Sequence, residues 1–191
     1  MFEFLLYKKT FLPISQKIYN ILKENITKKD KILEVGCASA HISSVLKNEG
    51  YNIKGVEIRK DAVIETRKKL QKKQIDFEII IDNVLNIQEK YDVIWSSGLL
   101  QCLNEQKRII YIKHFAQLAS KGIFIIPIRK KYLPASNIES PVAVVGCEEF
   151  STNNIPFLLS KYYTKVCFSI IPKETIKMDI DFIYYICTND D

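Results

Sequence analysis

The stretch that most constrains this fold is Ile32-Leu33-Glu34-Val35-Gly36-Cys37-Ala38-Ser39-Ala40-His41, an apolar strand that turns through a glycine straight into a helix. Two later apolar runs also end on acids, at Val56-Glu57 and at Ile81-Asp82-Asn83. Strands that alternate with helices demand a parallel sheet with right-handed crossovers. In such a sheet the ligand crevice lies outside the carboxyl ends of the strands, so acids at separate strand tips converge on one molecule.

Periodicity divides the chain accordingly. A helix is predicted over Pro13 to Glu24, with Ile14, Ile18, Ile21 and Leu22 on one face and proline in its first turn. Strands follow at Lys31 to Val35, Asn52 to Glu57, Phe77 to Ile81, Tyr91 to Ser96 and Gly122 to Ile128. Between them lie helices from Ala40 to Glu49, from an Asp61 cap to Gln71, and from Asn104 to Ser120, the last burying Ile109, Ile112, Ala116 and Ala119. The pattern then changes. After a helix over Asn154 to Lys161, the β-rich runs Tyr163 to Ile171 and Asp181 to Cys187 are separated by too few residues for a helical crossover, so they form an antiparallel hairpin.

The strand tips carry a specific chemistry. Glu57 follows Gly36 by 21 residues, where an open α/β sheet places a carboxylate that accepts both hydroxyls of a ribose. Asp82 offers an acceptor suited to an exocyclic adenine amine, and Gly36 lets the main chain approach a ligand where a Cβ would intrude. A nicotinamide fingerprint would need Gly-x-Gly-x-x-Gly, and residues 36–41 keep one glycine of three.

Together these segments resemble the cofactor half of class I S-adenosylmethionine-dependent methyltransferases, whose first motif is Glu/Asp-x-Gly-x-Gly-x-Gly. The resemblance runs from about Lys31 to Cys187 and implies a three-layer Rossmann-like α/β fold. Its seven-stranded sheet would be mostly parallel, ending in a C-terminal antiparallel hairpin whose last strand inserts. It also implies S-adenosyl-L-methionine as cofactor, held by Glu34, Gly36, Cys37, Ala38, Glu57, Ile58, Asp82, Asn83, Val84 and Ser97. The second and third motif glycines are Ala38 and Ala40 here, tolerable where φ is negative. A modified cofactor loop and a degenerate, non-binding one both fit that change.

Residues 91–103 resemble the family's fourth motif, an aromatic-Asp strand followed by a small-residue tip and a short helix. Gln101-Cys102 stands where many members carry Glu-His, and the Asp/Asn-Pro-Pro-aromatic tip of nucleic-acid base methylation is missing. No general base is identified. Transfer from a sulfonium needs mainly in-line positioning, so an oxygen or nitrogen acceptor that is nucleophilic at neutral pH suffices. His41 reads as a polar residue in the first turn of a helix, His114 as a helix-surface residue remote from the strand tips, and Cys102 as a small buried packing residue.

The 191 residues fit one domain: a helical cap over 1–30, a cofactor core over 31–128, and a substrate loop with the closing strands over 129–191. Five cysteines without Cys-x-x-Cys spacing and only two histidines support no metal framework, and the expected compartment is the reducing cytoplasm. No apolar stretch approaches the roughly 20 residues of a membrane-spanning helix. Net charge is +6, but 24 of 28 basic residues are lysines scattered along the chain, which disfavours a nucleic-acid stripe and hence RNA methylation. With no inserted substrate domain, the expected acceptor is a small molecule. Its candidate contacts are Gln101 and the cluster Arg129, Lys130 and Tyr132, which would hold an anionic acceptor. A non-catalytic, methyltransferase-like scaffold is the alternative from another functional class.

Overall fold

The computed structural model of the protein describes residues 12–128, 154–178 and 180–189. Within them run α1 (Pro13–Asn25), β1 (Lys31–Val35), α2 (His41–Asn48), β2 (Asn52–Glu57), α3 (Lys60–Lys72), β3 (Ile79–Ile81), β4 (Tyr91–Ser97), α4 (Glu105–Leu118) and β5 (Ala119–Ile128). The closing elements are α5 (Asn154–Ser160), β6 (Lys165–Ile171), α6 (Lys173–Ile176) and β7 (Asp181–Thr188).

Seven strands form one sheet in the order β3-β2-β1-β4-β5-β7-β6. The first five pair in parallel, and β7 inserts antiparallel between β5 and β6, Ile123 opposite Ile186 on one side and Cys167 opposite Ile186 on the other. The expected hairpin is therefore present, with the four-residue α6 in its connection. Side chains alternate between the two faces of each strand. On β1, Ile32 joins a core shared with Ile18, Leu22, Val45 and Val63, whereas Leu33 joins one shared with Ile112, Phe115 and Leu159. Helices α1 to α3 thus cover one face of the sheet, and α4 and α5 the other.

Local details depart from the sequence reading. α3 begins at Lys60 after an Arg59 cap without a side-chain bond, so Asp61 lies in the first turn and favours the helix through its charge near the N-terminus. β3 is shorter, and α4 turns a different stripe inward: Arg108, Ile112, Phe115 and Leu118 are buried, while Ile109 and Ala116 are half-buried and Ala119 begins β5. Phe115 decides that rotation by stacking on Phe124 of β5 at 5.8 Å between ring centres. Asn104, expected as the first helical residue, instead caps α4, its Oδ1 accepting from the Lys107 amide at 2.9 Å. Among the described residues no helix is long and apolar enough to cross a membrane.

Candidate functional site

The strand order reverses at β1, with β2 on one side and β4 on the other, and a cavity of about 430 Å³ opens at the carboxyl ends of these strands. Small-molecule cavities commonly hold about 300–1,000 Å³. Its walls come from the tips of the first four strands: Val35, Gly36 and Ala38 at the end of β1, Val56 to Arg59 at the end of β2, Asp82 to Val84 after β3, and Ser97 to Leu99 with Gln101 and Cys102 at the end of β4. Tyr111 of α4 closes one side.

The loop after β1 takes the left-handed backbone that glycine favours at three alternate positions. Gly36 lies at φ +71, and its amide donates to the Val56 carbonyl at 2.9 Å. Ala38 and Ala40 lie at φ 38 and 47, so the negative φ at which an alanine would be tolerated without strain is not met at either position. The loop keeps its shape because its peptides are anchored from both sides. The Ala38 amide donates to Glu57 Oε2 at 3.0 Å, Thr66 Oγ1 of α3 donates to the Ala38 carbonyl at 2.8 Å, and the Ala40 amide donates to the Cys37 carbonyl at 2.6 Å. These bonds hold backbone angles that a β-carbon resists.

Glu57 is only 6% exposed, yet both its oxygens are partnered: Oε2 by Ala38, and Oε1 by the Arg59 amide at 2.9 Å, with Arg59 Nε 3.7 Å away. A carboxylate has about four lone-pair sites, so two remain for a pair of hydroxyls. The exposed Ile58 adds an apolar wall beside it. At the tip of β3, Asp82 Oδ1 accepts from the Asn83 amide and from Asn86 Nδ2, both at 2.7 Å, leaving Oδ2 without a partner among the described residues. After β4 the chain turns at Gly98 (φ +78), whose amide donates to the Ile125 carbonyl, and Gln101 reaches the cavity from the following 3-10 turn.

Eight of the ten residues expected to hold a cofactor therefore line one cavity; Glu34 and Cys37 do not. Strand alternation turns Glu34 to the same face as Ile32, beneath α2, where burial pushes its pKa up to about 8. The Ser43 hydroxyl beside it works against that shift without reaching hydrogen-bond geometry, and the Glu57 charge adds to it. Cys37 packs backwards: a Cβ on Gly55 would lie 2.6 Å from its Sγ, so Gly55 is the space the thiol fills, and burial raises the thiol pKa.

Other expectations also shift. His114 is not remote from the strand tips, since its Nε2 lies 2.9 Å from the Val84 carbonyl. Cys102 is half-buried and lines the cavity, with Sγ 3.3 Å from the Gly98 carbonyl. His41 stands at the start of α2, off the cavity wall, its pKa lowered by burial and then by Lys73. Gln101 lines the cavity as expected; Arg129, Lys130 and Tyr132 lie outside the described residues. Tyr111 and Arg59 are cavity residues that the sequence reading did not single out. Arg59 sits two residues past an acid already named, whereas nothing in the helical pattern of α4 marks Tyr111. Among the described residues no three His, Cys, Asp or Glu side chains gather as metal ligands.

Similar proteins place this geometry. The chain resembles solved structures of TehB from Haemophilus influenzae (14% identity, TM-score 0.66, covering 92% of this chain) and of a methyltransferase from Clostridium acetobutylicum (12%, 0.67, 94% of this chain and 92% of the other). It spans 62% of the length of the TehB chain. It also resembles the magnesium protoporphyrin IX methyltransferase ChlM from Synechocystis with bound S-adenosylhomocysteine (14%, 0.71, 92% of this chain and 82% of the other). At such identities the likeness is one of fold. No curated protein matches the chain in sequence. The methyltransferase domain family matches residues 26–151, the span that contains every described strand tip of the cavity, and the chain belongs to that family.

Proposed function

We propose that this protein transfers a methyl group from S-adenosyl-L-methionine to an oxygen or nitrogen of a small molecule. The observation that carries the reading is the Glu57 carboxylate, buried at the tip of β2 with two acceptor sites left, facing a cavity that also holds Gly36 and Asp82. The chain fits the cofactor: Glu57 would take the ribose hydroxyls, Asp82 with Asn83 the adenine edge, Ile58 a ring face, and the Gly36 loop the chain that follows. When bound, the cofactor supplies a methyl group already activated on a sulfonium. The protein's own work is then to orient the acceptor and exclude water, and Ser97, Gly98 and Gln101, which line the cavity at the end of β4, would face the acceptor.

A small acceptor agrees with the likeness to a protein named as a magnesium protoporphyrin IX methyltransferase. The left-handed Ala38 and Ala40 favour a working loop over a degenerate one, because the glycine-type backbone is kept at a cost in strain. Calorimetry with S-adenosylhomocysteine tests the reading. The natural chain is expected to bind, and Glu57→Ala, which removes a buried partner, and Asp82→Ala, which removes a half-buried one, are each expected to lose about 1–3 kcal/mol of affinity. Unchanged affinity in both variants would sink the site, and no binding by the natural chain would favour the scaffold alternative.

A further inference from the structure

We propose that α4 clamps the loop after β3, with Tyr111 and His114 as positioning residues that set which purine the cavity accepts. The proposal rests on the cofactor reading above and adds to it the origin of base selectivity. Tyr111 and His114 are three residues apart, so both lie on one face of α4. Tyr111 Oη donates to Asn83 Oδ1 at 3.2 Å, and His114 Nε2 lies 2.9 Å from the Val84 carbonyl. Because a carbonyl only accepts, that contact requires the proton on Nε2. One helix face thus grips two successive residues at the cavity wall.

The grip has a chemical consequence. Asn83 Oδ1 also accepts from the Leu85 amide at 3.1 Å, so two donors hold the oxygen end of this amide. Asn83 Nδ2 is the end left over, with no partner among the described residues. Beside it, Asp82 Oδ1 is taken by the Asn83 amide and Asn86, which leaves Oδ2. The wall therefore offers an acceptor next to a donor. Adenine presents the complement, an amino donor beside the N1 acceptor. Hypoxanthine presents the reverse, a carbonyl acceptor beside an N1–H donor, and would set like against like. Without the Tyr111 hydroxyl one of the two donors is lost, the Asn83 amide can turn over, and the distinction weakens.

The experiment is calorimetry of the natural chain and its variants with S-adenosylhomocysteine and with S-inosylhomocysteine, read as the ratio of the two affinities. The natural chain is expected to prefer the adenine compound. Tyr111→Phe is expected to shrink that preference about fivefold, the worth of one hydrogen bond. His114→Leu is expected to shrink it as well, and His114→Gln, which keeps an N–H donor, to restore it. A side chain that merely packs would lower both affinities together, so an unchanged ratio in Tyr111→Phe and His114→Leu would overturn the clamp while leaving the cofactor reading intact. If Tyr111→Phe does not fold, the His114 pair carries the same test. Binding of neither compound by the natural chain would overturn both readings.

Discussion

Replacing Ala38 with glycine isolates the strain in the cofactor loop. A non-glycine residue in the left-handed region costs about 1–2 kcal/mol, and Ala38 sits there at φ 38. Glycine relieves that strain but loses more backbone entropy on folding, about 0.5–1 kcal/mol. Ala38 is half-buried, so little methyl packing is lost, and relief of strain outweighs the entropy cost by about 0.5–1 kcal/mol in favour of the variant. Ala40 is the control. It has the same backbone sign, φ 47, but is fully buried. Deleting its methyl forfeits about 0.8 kcal/mol of burial, which cancels the gain and brings Ala40→Gly close to neutral or slightly unfavourable. Urea denaturation should show a raised midpoint for Ala38→Gly with an unchanged slope, and almost no shift for Ala40→Gly. A loss of more than about 1 kcal/mol in Ala38→Gly would refute a strained loop. Thr66→Val completes the series: it removes the donor that anchors the Ala38 carbonyl and should cost about 1 kcal/mol.

Three further outcomes follow from named contacts. Glu34, raised to about 8 by burial, stays protonated when folded over a range where the unfolded chain ionises it, so its presence erodes stability as pH rises from about 4.5 to about 8. Glu34→Gln should thus gain on the natural chain across that window in pH-dependent denaturation, and a difference constant over pH would contradict the burial. Gly55→Ala should cost about 1–3 kcal/mol by driving a methyl onto Cys37 Sγ, and adding Cys37→Gly should recover much of the loss; no recovery would show that the clash lies elsewhere. For an anionic acceptor, Arg129→Ala with Lys130→Ala should raise its KM without changing affinity for S-adenosylhomocysteine, whereas equal turnover of neutral and anionic acceptors by the natural chain would argue against a charged substrate.

The sheet and its tips were legible because their signals are local. Apolar runs ending on Glu57 and Asp82, a glycine at the first turn, and helices between them leave few topologies, and the order around β1 follows from right-handed crossovers. What the sequence hid depends on rotation about an axis or on angles no residue type dictates. Glu34 stands two residues before Gly36, but strand alternation points it beneath α2, and no linear pattern tells the cavity face from the core face when both flanks are apolar. The alanines left the sign of φ open, because residue type alone does not set it, whereas Glu57 and Thr66, 19 and 28 residues beyond Ala38, hold the positive one. Tyr111 and His114 stayed silent for a similar reason: only the rotation of α4, fixed by Phe115 stacking on Phe124, brings them over the loop after β3. In each case a contact distant in sequence overrides a local preference, and the override lies at the cavity wall or just behind it. Backbone strain and side-chain orientation at a binding site are held by surrounding structure, so they become visible only when that structure is folded around them.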